Sequence, residues 1–160
     1  MSDNEFEQGD AGSSVTELAE AGRMKPGSLI MLKGEFPCRV TSFSTAKPGK
    51  HGSAKAMITG KDIFTDRQYE ETFGTGDMIP RPIVVKTEYN CLDSDGDFLT
   101  LLTPSGDVKE DVKVPNEAHL LDIAKRIKEI LAEGKKECLV TVQKWGEKQQ
   151  VVGAREGVDQ

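Results

Sequence analysis

Between Ser44 and Ala56 the chain reads Ser-Thr-Ala-Lys-Pro-Gly-Lys-His-Gly-Ser-Ala-Lys-Ala. Lys47, Lys50, His51 and Lys55 stand here without one acidic residue, and Gly49 and Gly52 bracket Lys50-His51. Glycine and proline at this density predict a tight, exposed turn with Lys50 at its tip. Packing does not explain a lysine in that position. It is placed to reach an anion or an enzyme that acts on lysine.

Several chemistries fail on spacing. Gly49-Lys-His-Gly52 matches the GxxG of a KH domain, but its flanks read as strands where that domain needs helices. A P-loop needs four residues between its glycines, Lys and a hydroxyl residue after the second, and a following helix. Asp93-Ser-Asp-Gly-Asp97 has Gly at the fourth position and Pro104 at the twelfth. An EF-hand loop needs Gly at the sixth and Glu at the twelfth, so this segment reads as a hairpin turn. His51 and His119 are far apart, with no Cys, His or Glu cluster around either, which argues against a metal site. His119 reads as a surface residue at the start of a helix. No nucleophile-elbow pattern is present. Cys38, Cys91 and Cys138 lack any CxxC pairing and sit among apolar neighbours, as buried thiols do. A nucleophilic or Schiff-base role for Lys50 needs a desolvating pocket, which Gly, Pro, Ser and other lysines do not supply.

What remains is electrostatics. The net charge of −6 divides into −6 over residues 1–20, +5 over 21–86 and −5 over 87–160. From Lys33 to Lys55 the cations Lys33, Arg39, Lys47, Lys50 and Lys55 face one acid, Glu35. Such a block suits phosphate contact that is independent of sequence and weakens with salt. Aromatic residues are 6% of the chain and only Phe43 lies near the loop, so base stacking is not supported.

These residues need a scaffold, and the pattern is mainly β. Residues 1–20 are acidic and rich in Gly and Ser, and read as a disordered tail. Ser28–Leu32, Pro37–Ser44, Lys55–Thr59 and Gln68–Phe73 read as short strands. Lys33-Gly34 and Thr59-Gly60-Lys61-Asp62 read as turns between them, and the whole as a small barrel. Asp77-Met-Ile-Pro-Arg-Pro82 reads as a hinge. Further strands follow at Ile83–Leu92, Phe98–Thr103, Val108–Val114, Cys138–Trp145 and Gln149–Ala154. Leu120, Ile123, Ala124, Ile127, Ile130 and Leu131 recur at helical spacing, with Asn116 as the expected N-cap and Gly134 closing the helix. Five strands with one helix before the last pair fit an OB-type barrel. No apolar run reaches the roughly 20 residues of a membrane span. The start of the chain lacks a signal-peptide pattern, so a cytoplasmic location is expected.

The loop Lys47-Pro-Gly-Lys-His-Gly-Ser-Ala-Lys55 resembles the hypusine loop of the eukaryotic and archaeal translation factor 5A family. Asp62-Ile-Phe-Thr, Tyr69-Glu-Glu, the proline-containing hinge, Ser105-Gly-Asp-Val-Lys-Glu-Asp111 and Val114-Pro115 extend the likeness over roughly residues 20–155. Beyond the acidic tail over 1–20, the resemblance implies an SH3-like barrel over 21–83 and an OB-fold domain over 84–157. It implies a translation factor, not an enzyme, with no bound cofactor. It makes Lys50 the lysine that deoxyhypusine synthase extends with an aminobutyl group from spermidine and deoxyhypusine hydroxylase then hydroxylates. Lys47, Gly49, His51, Gly52 and Lys55 match the positions that support the loop and present the lysine. The expected partners are those two enzymes, the ribosome with its rRNA and proteins, and the acceptor end of peptidyl-tRNA. The product would promote peptide bonds at stalls such as consecutive prolines. Lys33, Arg39, Lys47 and Lys55 would then face RNA. Ser53 and Pro48 depart from the His and Thr of many eukaryotic members. The alternative is a generic RNA-binding module whose unmodified lysines contact phosphates.

Overall fold

The computed structural model describes residues 16–47, 52 and 54–160. They divide into two compact units, one ending at Ile83 and one beginning at Val84. The architecture is mainly β with one α-helix. No helix among the described residues is long and apolar enough to cross a membrane.

In the first unit, strands β2 (Leu29–Leu32), β3 (Phe36–Ala46), β4 (Lys55–Asp62) and β5 (Gln68–Gly74) form one antiparallel sheet in chain order. Its inward residues are those that alternation selects. Ile30, Leu32, Cys38, Val40, Ala56 and Ile58 make a common core with Ala21, Met24 and Ile79. The Lys33-Gly34 turn is as expected. Both residues have positive φ, 57° and 71°, and Glu35 N–H donates to the Leu32 carbonyl at 3.1 Å. Two left-handed residues in succession match the twist of the flanking strands.

Three local expectations are corrected. Thr16–Glu20, placed in the disordered tail, is strand β1. Met78–Pro82, placed in the hinge, is strand β6, and the two pair from Thr16↔Pro82 to Glu20↔Met78. Residues 1–15 of that tail lie outside the described residues. Each strand of a two-stranded ribbon has a free edge. Pro80 and Pro82, two residues apart, can both point their missing donors to that edge. Ile79 between them enters the core.

The third correction is Gly60, which lies inside β4 and not in a turn. A Cβ there would meet the Arg39 carbonyl oxygen at 3.0 Å, Cys38 Cβ at 3.1 Å and Leu32 Cδ1 at 3.3 Å. Glycine therefore serves close packing of β4 against β3 and β2. Gly60→Ala is expected to destabilise the protein by about 1–3 kcal/mol through overpacking, read from its denaturant midpoint.

In the second unit β7 (Val85–Ser94), β8 (Phe98–Leu102) and β9 (Val108–Lys113) form a meander. Helix α1 (Leu121–Glu133) precedes β10 (Lys136–Trp145) and β11 (Lys148–Asp159). The strand order is β11-β10-β7-β8-β9, and β11 also approaches β9, closing the sheet toward a barrel. This is the expected OB-fold plan. Ile127 and Ile130 of α1 enter the core with Leu99, Leu101, Val112, Val140, Val142 and Val151. Gly134 ends the helix as expected, at φ 66° with its N–H donating to the Ile130 carbonyl at 3.2 Å. The start differs. A single 3-10 turn at Ala118–Leu120 intervenes, so Leu120 and not Asn116 holds the N-cap position. His119 is exposed in that turn. Strand β7 begins at Val85, two residues after the expected start at Ile83.

Three carboxylates of this unit are held below their ordinary range. Hydrogen bonding to Arg155 lowers Glu88, the Phe98 and Asp97 amides lower Asp95, and Lys109 lowers Asp111. Such groups stabilise the fold above their unfolded-state pKa, and the contribution is lost as pH falls through the depressed folded values. The melting temperature is therefore expected to hold on acidification down to the ordinary carboxylate range and to fall below it, followed by calorimetry against pH.

Candidate functional site

The basic segment connects β3 to β4. Their pairing runs from Cys38↔Asp62 to Ala46↔Lys55, with an irregularity between Val40 and Ser42. Ala46 and Lys55 are thus the last pair of a hairpin, and residues 47–54 join them. Lys47, Gly52 and Lys55 are exposed at this end of the sheet. Pro48, Gly49, Lys50, His51 and Ser53 lie outside the described residues, and so does the expectation of Lys50 at a loop tip.

One side of the stem is fastened. Thr75 N–H donates to the Ala54 carbonyl at 3.1 Å, and Lys55 pairs with Gly74. Thr75 belongs to a tight turn in which Gly74 N–H donates to Asp77 Oδ2 at 2.8 Å. Asp77 N–H returns to the Gly74 carbonyl at 3.0 Å, while Gly22 N–H donates to the Thr75 carbonyl at 2.8 Å. A Cβ on Gly22 would lie 2.8 Å from that same oxygen. Gly22, Thr75 and Asp77 therefore position the loop stem from a distance in sequence. The sequence reading missed them, although Gly74-Thr-Gly-Asp77 carries turn chemistry that could have marked the segment.

The outward face of the sheet gives the site its character. Along β4, Lys55, Met57 and Lys61 are exposed and Thr59 is half-buried, while Ala56, Ile58, Gly60 and Asp62 point inward. Across the face Lys61 stands opposite Arg39 on one side and Gln68 on the other. Thr59 stands between Ser42 and Glu70, and Met57 between Ser44 and Thr72. The result is a surface of cations and hydroxyl groups with one carboxylate, Glu70. Among the described residues no carboxylate forms a side-chain ion pair with Arg39, Lys47, Lys55 or Lys61, while the Glu71 carboxylate accepts from the Lys33 backbone N–H at 2.6 Å. Like charges directly opposite on neighbouring strands, as Arg39 and Lys61 are, repel one another. An anion laid across both would relieve that repulsion. Cations and hydroxyls at strand spacing are donors that a phosphate backbone accepts.

The expected basic residues do not form one cluster. Lys47 and Lys55 share the loop end. Lys33 lies in the β2–β3 turn, at the other end of an eleven-residue strand, a contour of about 35 Å at strand rise. Arg39 is toward that far end, where Lys61 joins it. Sequence reasoning omitted Lys61, although its even spacing from Lys55 within one strand places both on one face.

The Asp93–Asp97 segment is a hairpin turn, as expected. Asp95 Oδ1 accepts from the amides of Asp97 at 2.9 Å and Phe98 at 2.8 Å. All three cysteines are free and buried.

Comparison with known proteins agrees with this layout. The family described as translation initiation factor 5A-like, N-terminal, matches residues 14–77. The family described as eukaryotic elongation factor 5A hypusine, DNA-binding OB fold, matches residues 83–155. Eukaryotic translation initiation factor 5A of Dictyostelium discoideum is 40% identical over 148 residues, which is 89% of each chain. Eukaryotic translation initiation factor 5A-3 of Arabidopsis thaliana is 38% identical over 152 residues, covering 93% of this chain and 94% of its own. The solved structure of a translation initiation factor 5A family protein from Naegleria fowleri matches with a TM-score of 0.81 at 35% identity. That match covers 88% of this chain and 99% of the other.

Proposed function

This chain belongs to the translation initiation factor 5A family, and we propose on that premise that it works at the ribosome through hypusine built on Lys50. It is a translation factor. In the proposed mechanism the factor sits beside peptidyl-tRNA with the β3–β4 loop directed at the acceptor end. Deoxyhypusine synthase and the hydroxylase first extend Lys50 using spermidine. The longer cationic side chain then holds the flexible acceptor end in a reactive pose. That is catalysis by positioning, with the ribosome supplying the reacting groups. The observation that carries this reading is the placement of Lys47 and Lys55 at the closed end of a hairpin whose outer face is cationic and hydroxylated. Lys47, Gly49, His51, Gly52 and Lys55 would present Lys50 to the modifying enzymes. Translation at the ribosome would also place the protein in the cytoplasm.

Peptide mass spectrometry of protein from its native source tests the modification. The Lys50 peptide should carry the mass of an added hydroxylated aminobutyl group, and an unmodified lysine there would refute the reading. The same outer face favours a second reading, in which unmodified cations bind RNA phosphates. In either case Arg39→Ala and Lys61→Ala should each weaken RNA binding about equally for all sequences. Each should also lower the salt slope by about one, measured by titration at several ionic strengths.

A further inference from the structure

Cys91 on β7 and Cys138 on β10 are register partners on adjacent antiparallel strands. Directly opposed residues in such a pair have Cα atoms about 4.5–5.5 Å apart. A disulfide spans Cα separations of about 4.4–6.8 Å, so the backbone already meets its requirement. Both side chains point into the same core, with 2% and 1% of their surface exposed. Cys91 is not sealed. It lines a cavity of about 250 Å³ together with Asn90, Ile130, Leu131, Gly134 and Glu137. A molecule the size of hydrogen peroxide fits within that cavity.

We propose that Cys91 and Cys138 are a reversible oxidation site, at which hydrogen peroxide closes an internal disulfide between β7 and β10. Cys38 is not part of it. That thiol is buried in the other unit, opposite Asp62 on β4.

One thiolate attacks hydrogen peroxide, forming an S–O bond as the O–O bond breaks, and the departing hydroxide is protonated to water. The second thiolate attacks the sulfenic sulfur. The S–S bond forms, the S–O bond breaks and a second water leaves. The two thiols give up two electrons and two protons, and one peroxide becomes two waters. A small dithiol or glutathione reverses the bridge by exchange.

The surroundings support this chemistry. The thiols face each other across the strand pair, and their mutual influence pushes Cys91 up and Cys138 down, with Arg126 on α1 adding to the lowering of Cys138. Cys91 Sγ also lies 3.5 Å from the Asp93 carbonyl oxygen, which accepts from it. A lone buried thiol that reaches sulfenic acid has no resolving partner and proceeds to irreversible acids. Here the partner is in place, so oxidation stops at a reversible state. The bridge would close a loop that contains β8, β9 and α1, and so constrain the unfolded chain.

The experiment exposes the folded full-length protein to hydrogen peroxide. Free thiols are then blocked with iodoacetamide under denaturing conditions, and the protein is digested without reductant. A Cys91–Cys138 linked peptide is expected, lighter by two hydrogens than the reduced pair, with Cys38 alkylated. Cys38→Ser should keep the linked peptide. The oxidised protein should melt at a higher temperature than the reduced one, and dithiothreitol should remove the difference. Cys138→Ser should give no intramolecular linked peptide under the same exposure. Should that variant not fold, peptide mapping of the unmutated protein decides alone. Two free thiols, sulfinic acid in the unmutated protein, or links only between separate chains would overturn the proposal.

Discussion

Lys50→Arg is expected to reduce growth support to the level of an empty vector, in cells whose own copy of the factor is depleted. The substitution keeps the positive charge and nearly the length of the side chain. If Lys50 only neutralised a phosphate, arginine would serve as well, because a guanidinium binds phosphate at least as strongly as an ammonium. The proposed function needs a primary amine that can be alkylated, and arginine has none. Lys47→Arg and Lys55→Arg are the controls, since these lysines are proposed to present the loop and meet phosphates without being extended. Both should retain most activity. The two control proteins should melt within a degree or two of the parent, because Lys47 and Lys55 are exposed and exposed substitutions away from packed features change stability by about 0.5 kcal/mol or less; the melting temperature of Lys50→Arg is measured beside them. Growth with Lys50→Arg equal to the parent would favour the unmodified RNA-binding reading.

What could be read from the sequence follows how local the cause is. The strands of the four-stranded sheet and of the OB-fold were legible because glycine, proline and aspartate bound each of them. Gly134 was legible as the helix stop because a left-handed cap is a property of one residue. The β1–β6 ribbon was not, because Thr16–Glu20 has nothing to pair with until Met78–Pro82 arrives from about sixty residues away. Taken alone, the first segment resembles a polar tail and the second a proline hinge. Gly60 misled for the same reason. Its neighbours Cys38, Arg39 and Leu32 come from two other strands, and no local pattern announces their approach. In the site, the hairpin placed Lys47 and Lys55 together as the sequence suggested. Lys33 and Arg39 were grouped with them only by nearness in sequence, which a long extended strand turns into distance in space. Lys61 was reachable by counting strand parity from Lys55. Gly22, which braces the stem through Thr75, needed the fold.

The largest expected loss of stability lies in the second unit. Leu101 is fully buried on β8, opposite Cys91 on β7, within the cluster that holds Leu99, Ile127, Ile130 and Val140. Its neighbours come from a sheet and a helix on different sides, so the space left by Leu101→Ala cannot be filled by moving one element. Truncation of this kind costs about 2–5 kcal/mol, the transfer term plus the cavity term. For a domain of this size that corresponds to a fall in melting temperature of roughly 10 °C or more. Trp145, the single tryptophan of the chain, lies at the end of β10 and reports on this unit. Its fluorescence transition should move down by that amount in Leu101→Ala. The core of the first unit, built on Ile30, Leu32, Val40 and Ile58, shares no residue with this cluster. Far-ultraviolet circular dichroism, which sees both units, should then broaden or split instead of shifting as one step. An unshifted Trp145 transition would mean that the Leu101 site collapses without cost, against its complete burial between sheet and helix.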